Sequence, residues 1–178
     1  MTATDLEHSL GGSPSLNIKS AGSSMAPSVE APDISSMKLD SEPITILYGS
    51  NTGTCLVFAQ KIASDASNNE FEAKVLEMDN IVGDLPTSQL IVIITASCEG
   101  NPPDNVARFV SWLGKLKSRA LLGTEFAVFG CGHSDWRATF KKIPTIVDNG
   151  VAEFVGSRLV PRGLSDAAKG DLSGDFDD

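Results

Sequence analysis

The chain has three cysteines, no Cys-x-x-Cys spacing, no apolar run of membrane length and no excess of positive charge. Each absence excludes something. Cys55, Cys98 and Cys131 are too few and too scattered for a disulfide framework or a zinc site, and they fit a reducing, cytoplasmic setting. No apolar stretch approaches the roughly 20 residues that cross a bilayer. The first 20 residues lack the basic and apolar regions of a signal peptide, so no membrane association is expected. The formal net charge of −9 makes nucleic acid a poor partner and a basic protein surface a suitable one. No lysine or arginine occurs between residues 44 and 60. No nucleophile–base pair and no mechanistic pair of carboxylates stands out. His133 has no second histidine or cysteine at ligand spacing, so no metal is expected.

What is present is an order. Residues 1–42 are punctuated by Gly11, Gly12, Pro14, Gly22, Pro27 and Pro32 without sustained periodicity, and read as a disordered linker. A linker of that length predicts something attached upstream, with the chain a piece of a larger protein. Residues 43–178 read as one domain. Ile44-Thr45-Ile46-Leu47-Tyr48 is a buried strand. It runs into Gly49-Ser50-Asn51-Thr52-Gly53-Thr54, a tight turn, and a helix to Ser67 with an apolar stripe of Leu56, Ala59, Ile62, Ala63 and Ala66. A second strand spans 73–78. Gln89 to Thr95 is the most apolar strand, as a central parallel strand should be. A helix is expected over 104–117, opened by Pro102 and Pro103, with Val106, Phe109, Val110, Leu113 and Leu116 on one face. A strand over 125–131, a helical stretch interrupted by Pro144 and a last strand over 157–160 complete the pattern. This alternation predicts an α/β fold with a doubly wound parallel sheet.

In such sheets ligands bind beyond the carboxyl ends of the strands. Three unusual loops fall there: 49–54, 96–103 and 130–136. The first offers hydroxyls of Ser50, Thr52 and Thr54, the Asn51 amide and backbone N–H groups at a helix start, which suits one phosphate. It is neither a Walker A loop, since no lysine follows Gly53, nor a dinucleotide fingerprint, since only Gly49 and Gly53 occur. The second offers backbone groups, Cys98 and Glu99. The third offers Gly130 and Gly132, where backbone can approach a ligand, and Trp136, whose indole can stack on a flat ring. The plainer readings are a buried thiol for Cys98 and a packing residue for Trp136. A phosphate at one loop and a flat ring between two others describe flavin mononucleotide (FMN).

Three motifs carry a resemblance: Tyr48-Gly49-Ser50-Asn51-Thr52-Gly53-Thr54, Thr95-Ala96-Ser97-x-x-Gly100-x-Pro102-Pro103-Asp104-Asn105 and Phe129-Gly130-Cys131-Gly132-x-x-x-Trp136. From 44 to about 176 the chain resembles the flavodoxin-like FMN domain of diflavin reductases. It most resembles the reductase part of self-sufficient fusions that join a haem-thiolate monooxygenase of cytochrome P-450 type to its own reductase. The resemblance implies a five-stranded parallel sheet of order 2-1-3-4-5. It implies that Ser50, Asn51, Thr52, Gly53, Thr54 and Cys55 bind the FMN phosphate. Ala96, Ser97 and Cys131 would also belong to the cofactor site, and Cys98, Glu99, Gly100 and Asn101, with Gly132, His133 and Ser134, would flank the isoalloxazine ring. Trp136 would stack on it, with Phe140, Lys141 and Lys142 nearby. Cys98 stands where the family usually has an aromatic. The family's last helix should follow Phe176, so that helix is expected to be truncated. The implied function is relay of single electrons from an FAD/NADPH reductase domain to a haem domain, both in the same polypeptide. An acidic rim of Glu99, Asp104 and Asp135 would face a basic partner.

Two other readings share the fold. A stand-alone quinone reductase would take hydride directly and need no long linker. A flavin-free signalling module would want a carboxylate cluster after strands 1 and 3, where this chain has hydroxyl and small residues. Leu159-Val160-Pro161-Arg162-Gly163 resembles a thrombin cleavage sequence, but its place at a strand end reads as native sequence.

Overall fold

The computed structural model describes residues 41–136, 138–154, 156–170 and 174. The expected linker, except for residues 41 and 42, and the expected truncated helix after Phe176 lie outside the described residues. The sheet runs β2-β1-β3-β4-β5, all parallel, with β6 also paired to β4. Its strands are β1 (Glu42–Gly49), β2 (Phe71–Glu77), β3 (Leu90–Ala96), β4 (Glu125–Gly132), β5 (Ser157–Arg158) and β6 (Gly163–Asp166). The expected order 2-1-3-4-5 is therefore present. β5 pairs with the start of β4 and β6 with its end, so the two short strands share the fifth position.

The last strand thus departs from the 157–160 expected. The Leu159 N–H still donates to the Phe126 carbonyl at 2.9 Å; the chain then leaves the edge, with Leu159 and Val160 exposed, and rejoins at Gly163. Asp148 makes this possible. It is 3% exposed and accepts Arg158 Nε at 2.7 Å, Arg158 Nη2 at 3.0 Å and Arg162 Nη1 at 2.8 Å. Two guanidinium groups from either side of the excursion therefore close on one buried carboxylate. The protease-like sequence is this excursion, and its arginine is engaged in the fold.

Side chains alternate along each strand with period two, so the sheet has an apolar layer on both faces. Ile44, Ile46 and Ile94 pack with Cys55, Phe58 and Ala59 of α1 (Thr54–Asn68). Leu47, Ile91, Ile93, Phe126 and Val128 pack with Phe109 and Leu113 of α2 (Ala107–Leu113) and Ile143, Val147 and Val151 of α3 (Lys142–Glu153). The stripe of α1 is Cys55, Phe58, Ala59, Ile62, Ala63 and Ala66; Leu56, expected in it, is only partly buried beside it.

α2 is half the length expected. Asp79 crosses from the turn after β2 and accepts the Arg108 and Phe109 N–H groups, which caps the helix three residues later than Pro102 and Pro103 suggested. The helix stops at Gly114. Pro144 does not interrupt α3. It is the third residue of the helix, where its missing N–H costs no internal bond. Met78, expected in β2, turns off the strand into a short 3-10 turn and is fully buried.

Candidate functional site

β1 delivers the first loop to the carboxyl edge of the sheet. Gly53 adopts φ 85°, a left-handed conformation that glycine takes without penalty, and α1 begins at the next residue. Among the described residues, the N-cap position Gly53 offers no side chain to cap α1, and the first turn holds no acidic residue. The N–H groups that open a helix carry partial positive charge and need partners. Around them stand three hydroxyls. Ser50 Oγ accepts the Gly53 N–H at 3.0 Å, and Thr52 Oγ1 and Thr54 Oγ1 lie 3.3 Å apart. An oxyanion fits such a corner without a basic side chain.

The loop is held from the side. Ser50 N–H donates to Asn105 Oδ1 at 3.1 Å, and Asp104 N–H donates to Asn51 Oδ1 at 2.9 Å. These reciprocal bonds lace the first loop to the segment before α2. Asn51, expected to contact a ligand, spends its amide oxygen on that lacing.

The second loop leaves β3 at Ala96. Cys98 and Asn101 exchange backbone hydrogen bonds of 3.0 and 2.8 Å. Between them Glu99 (φ 52°) and Gly100 (φ 83°) are both left-handed, the pattern of a type I′ turn. Ser97 Oγ accepts the Ile143 N–H at 3.0 Å, so this loop is tied to the first turn of α3.

The third loop follows β4. Gly130 and Gly132 are needed, but for packing. A Cβ on Gly130 would lie 2.7 Å from both Leu164 and Pro144, and one on Gly132 would lie 2.5 Å from the Phe140 ring. Both glycines thus let the protein's own side chains pack against the third loop. Ser134 N–H donates to Asp166 Oδ1 at 2.8 Å. Trp136 ends the 3-10 turn Ser134–Trp136; its expected stacking concerns a side chain outside the description.

These segments enclose a cleft of about 330 Å3, within the size range of small-molecule sites. Ser50, Thr52 and Thr54 line one end. Ala96, Ser97, Cys98 and Glu99 line one wall, and Cys131, Gly132, His133 and Phe140 the other. Most expected site residues thus converge. The remainder stand behind the lining or beside it. Cys55 is fully buried under the first loop, and Gly100 is buried against Thr139. Asn101 is exposed, and Lys141 and Lys142 are exposed, Lys141 Nζ lying 5.5 Å from the Phe140 ring centre. Ser134 is bonded to Asp166 behind the third loop. Ala167 also lines the cleft and was not expected. Its only sequence signal was Asp166 before Ala167 and Ala168, an N-cap residue ahead of a helical turn.

All three cysteines are free and gather here. Cys131 is held protonated: its hydrogen bond with the Cys55 thiol and its burial both push it up, while the same bond draws Cys55 down. Burial first, then the neighbouring Cys55, Asp104 and Glu99, pushes the Cys98 thiol up. The wall of the cleft is therefore neutral thiol at physiological pH. Glu99, Asp104 and Asp135 are exposed around it. Among the described residues, no group of three His, Cys, Asp or Glu side chains is placed to hold a metal ion.

The flavodoxin family model matches residues 46–177. A bifunctional cytochrome P450/NADPH–P450 reductase of Fusarium oxysporum is 41% identical over 99% of this chain. A protein of the same description from Aspergillus oryzae is 46% identical over 78% of it. The chain spans only 16% and 13% of the length of these two relatives. Among solved structures, a cysteine-to-serine mutant of flavodoxin from Pseudomonas aeruginosa superposes with a TM-score of 0.61 at 25% identity, covering 76% of this chain and 91% of that one. The family match spans all three loops and every strand from Ile46 on, and the sheet order agrees. The chain belongs to the flavodoxin family, and within it is similar to the reductase portion of self-sufficient P450 fusions.

Proposed function

We propose that this chain binds FMN in the cleft and relays electrons singly between an FAD/NADPH reductase domain and a haem-thiolate domain of one polypeptide. The observation that carries the proposal is the uncapped start of α1, ringed by the Ser50, Thr52 and Thr54 hydroxyls and opening into the same cleft as the second and third loops. The donor set fits the cofactor. Neutral N–H and O–H donors suit a phosphate monoester. Beyond them, a largely apolar slot between Ala96–Glu99 and Cys131–His133 suits a flat ring. FMN, when bound, supplies one- and two-electron chemistry that no side chain here offers.

The protein's part is binding, orientation and electrostatics. The first loop holds the phosphate. The backbone groups of the Cys98–Asn101 turn and of Gly132 to Ser134 stand at the ring edges. The thiols of Cys98 and Cys131, both protonated, present neutral walls. The exposed Glu99, Asp104 and Asp135 give the mouth a negative rim, which makes addition of charge to the ring harder and attracts a basic partner face.

The partners follow from the relatives, whose names join a cytochrome P450 and an NADPH–P450 reductase. Residues 1–42 then serve as the tether between haem and FMN domains, and 43–178 as the FMN domain. The family match, which begins at residue 46, is in keeping with that division. The monooxygenase activity belongs to the assembled enzyme, with FAD, NADPH and haem carried elsewhere and this domain as carrier. Among the described residues no helix is long and apolar enough to cross a membrane, and a cytoplasmic site of action fits the free thiols.

The test is the visible absorption spectrum of the purified chain before and after addition of FMN and gel filtration. Flavin absorption that co-elutes with the protein is expected. A colourless protein that releases all added FMN contradicts the proposal.

A further inference from the structure

We propose that Asp166 is a positioning residue for the ring end of the cleft, one carboxylate oxygen fixing the third loop to the segment that carries Ala167. The inference rests on the FMN reading of the site. Asp166 and Ala167 lie outside all three sequence motifs.

Asp166 is the last residue of β6 and sits opposite Gly132 in the β4 ladder. It is 6% exposed. Its Oδ1 accepts the Ser134 N–H at 2.8 Å and the Ala168 N–H at 3.1 Å. The two donors belong to different walls. Ser134 ends the run Cys131–Gly132–His133, and Ala168 follows Ala167; three of that run and Ala167 itself line the cleft. A single atom thus sets the spacing of two segments that are 34 residues apart in the chain by their numbers, 134 and 168. Burial works against the charge, but the hydrogen bonds from Ser134, the Ala168 N–H and the nearby Lys169 outweigh it and keep the carboxyl below its ordinary value. Asp166 is therefore ionised at neutral pH, and its bonds are of the stronger, charge-assisted kind.

Position and charge can be separated by substitution, because an amide oxygen can accept where Oδ1 does without carrying the charge. Asp166→Asn keeps an acceptor oxygen in place and removes the charge. Asp166→Glu keeps the charge and moves the oxygen outward by one methylene. Asp166→Ala removes both. The second ligand that separates the two ends of the cleft is riboflavin, which has the ring of FMN and lacks its phosphate.

The experiment is titration of the full chain and the three variants with FMN and with riboflavin, followed by flavin fluorescence. Thermal melting by circular dichroism checks the fold, and midpoint potentials are measured on the FMN-loaded proteins. Asp166→Ala and Asp166→Glu should each lose about tenfold in affinity, as expected for loss of a charge-assisted acceptor, and by the same factor for both flavins. Asp166→Asn should restore affinity to within about threefold, the cost of a neutral in place of a charged acceptor. Its midpoint potential should be higher than wild type, since a negative charge near the ring is gone. If Asp166→Ala does not fold, the Glu and Asn pair decides. Wild-type affinity in Asp166→Glu, or an Asn variant that loses as much as the Glu variant, overturns the inference while wild-type binding leaves the FMN reading standing. A wild-type chain that binds neither flavin overturns the FMN reading and this inference with it.

Discussion

At one end of the cleft, five consecutive residues, Ser50 to Thr54, present the hydroxyls and lead into the open start of α1. At the other end, Ala96 to Glu99, Cys131 to His133, Phe140 and Ala167 come from four places in the chain. The first end is local. Its geometry follows from a strand, a left-handed Gly53 and a helix start, and its ligand chemistry is that of any oxyanion. The second end is composite. Its shape depends on bonds between elements far apart in sequence: Ser97 to Ile143, Ser134 to Asp166, Arg158 and Arg162 to Asp148. The contrast teaches that one cleft can draw the donors for its charged group from one short loop, braced from the side by Asp104 and Asn105, and build its ring end from the tertiary fold. The two ends should therefore fail separately.

The largest effect is expected at the composite end. Asp148→Ala leaves two guanidinium groups, one of them on the mostly buried Arg162, without their carboxylate, and should cost about 3 kcal/mol, the range for breaking a buried charge pair. Urea unfolding should show the loss with an unchanged slope. Because the excursion 159–162 and β6 are held by that carboxylate, riboflavin affinity should fall with stability.

Next comes the local end. Ser50→Ala together with Thr54→Ala removes hydroxyls from the phosphate corner. FMN affinity should fall about 100-fold, two charged hydrogen bonds at about 1.5 kcal/mol each, while riboflavin affinity stays within a factor of about two. Equal losses for both ligands would break the comparison between the two ends.

A smaller effect is expected where the ends are laced together. Asn105→Ala removes the acceptor of the Ser50 N–H and should cost about 1 kcal/mol in stability by thermal melting. Its effect on FMN should exceed that on riboflavin, since Ser50 is the residue released.

The smallest effect is on acid stability. The Asp166 carboxyl lies below its ordinary value of 3.8 in the fold. Its contribution is present above that value and fades as pH falls through the lower, folded one. The stability difference between wild type and Asp166→Asn should be flat from neutrality to about pH 5 and shrink only in stronger acid. A difference that shrinks between pH 7 and 5 would mean another group titrates there.

The two ends also differ in how far they could be read from residues alone. The first loop was legible because its chemistry and its neighbours in space are neighbours in sequence. The parallel sheet was legible because apolar β-branched runs alternate with helical stripes, while its order 2-1-3-4-5 came with the family resemblance. The composite end was read only in part. Gly132 was found because it follows a strong strand, and Cys131 because it stands in the third motif of the family resemblance. Ala167 was not, because β6 is four residues long and resumes after an excursion that only Asp148 explains. The short α2 has the same cause: Asp79, 30 residues before the Phe109 N–H it accepts, supplies the cap that sets where the helix starts. The reasons for Gly130 and Gly132 lie with Leu164, Pro144 and Phe140, contacts that no local pattern announces.

The central claim is that one cleft has a phosphate end at the start of α1 and a ring end between the second and third loops. Backbone amide NMR of the full chain, titrated first with inorganic phosphate and then with FMN, tests it most directly. Phosphate alone should shift the amides of Gly53, Thr54, Cys55 and Leu56. FMN should shift those and, in addition, the amides of Ser97 to Glu99, Gly132 to Ser134 and Ala167. Shifts confined to another face of the sheet, or FMN shifts that leave the start of α1 untouched, would contradict the account.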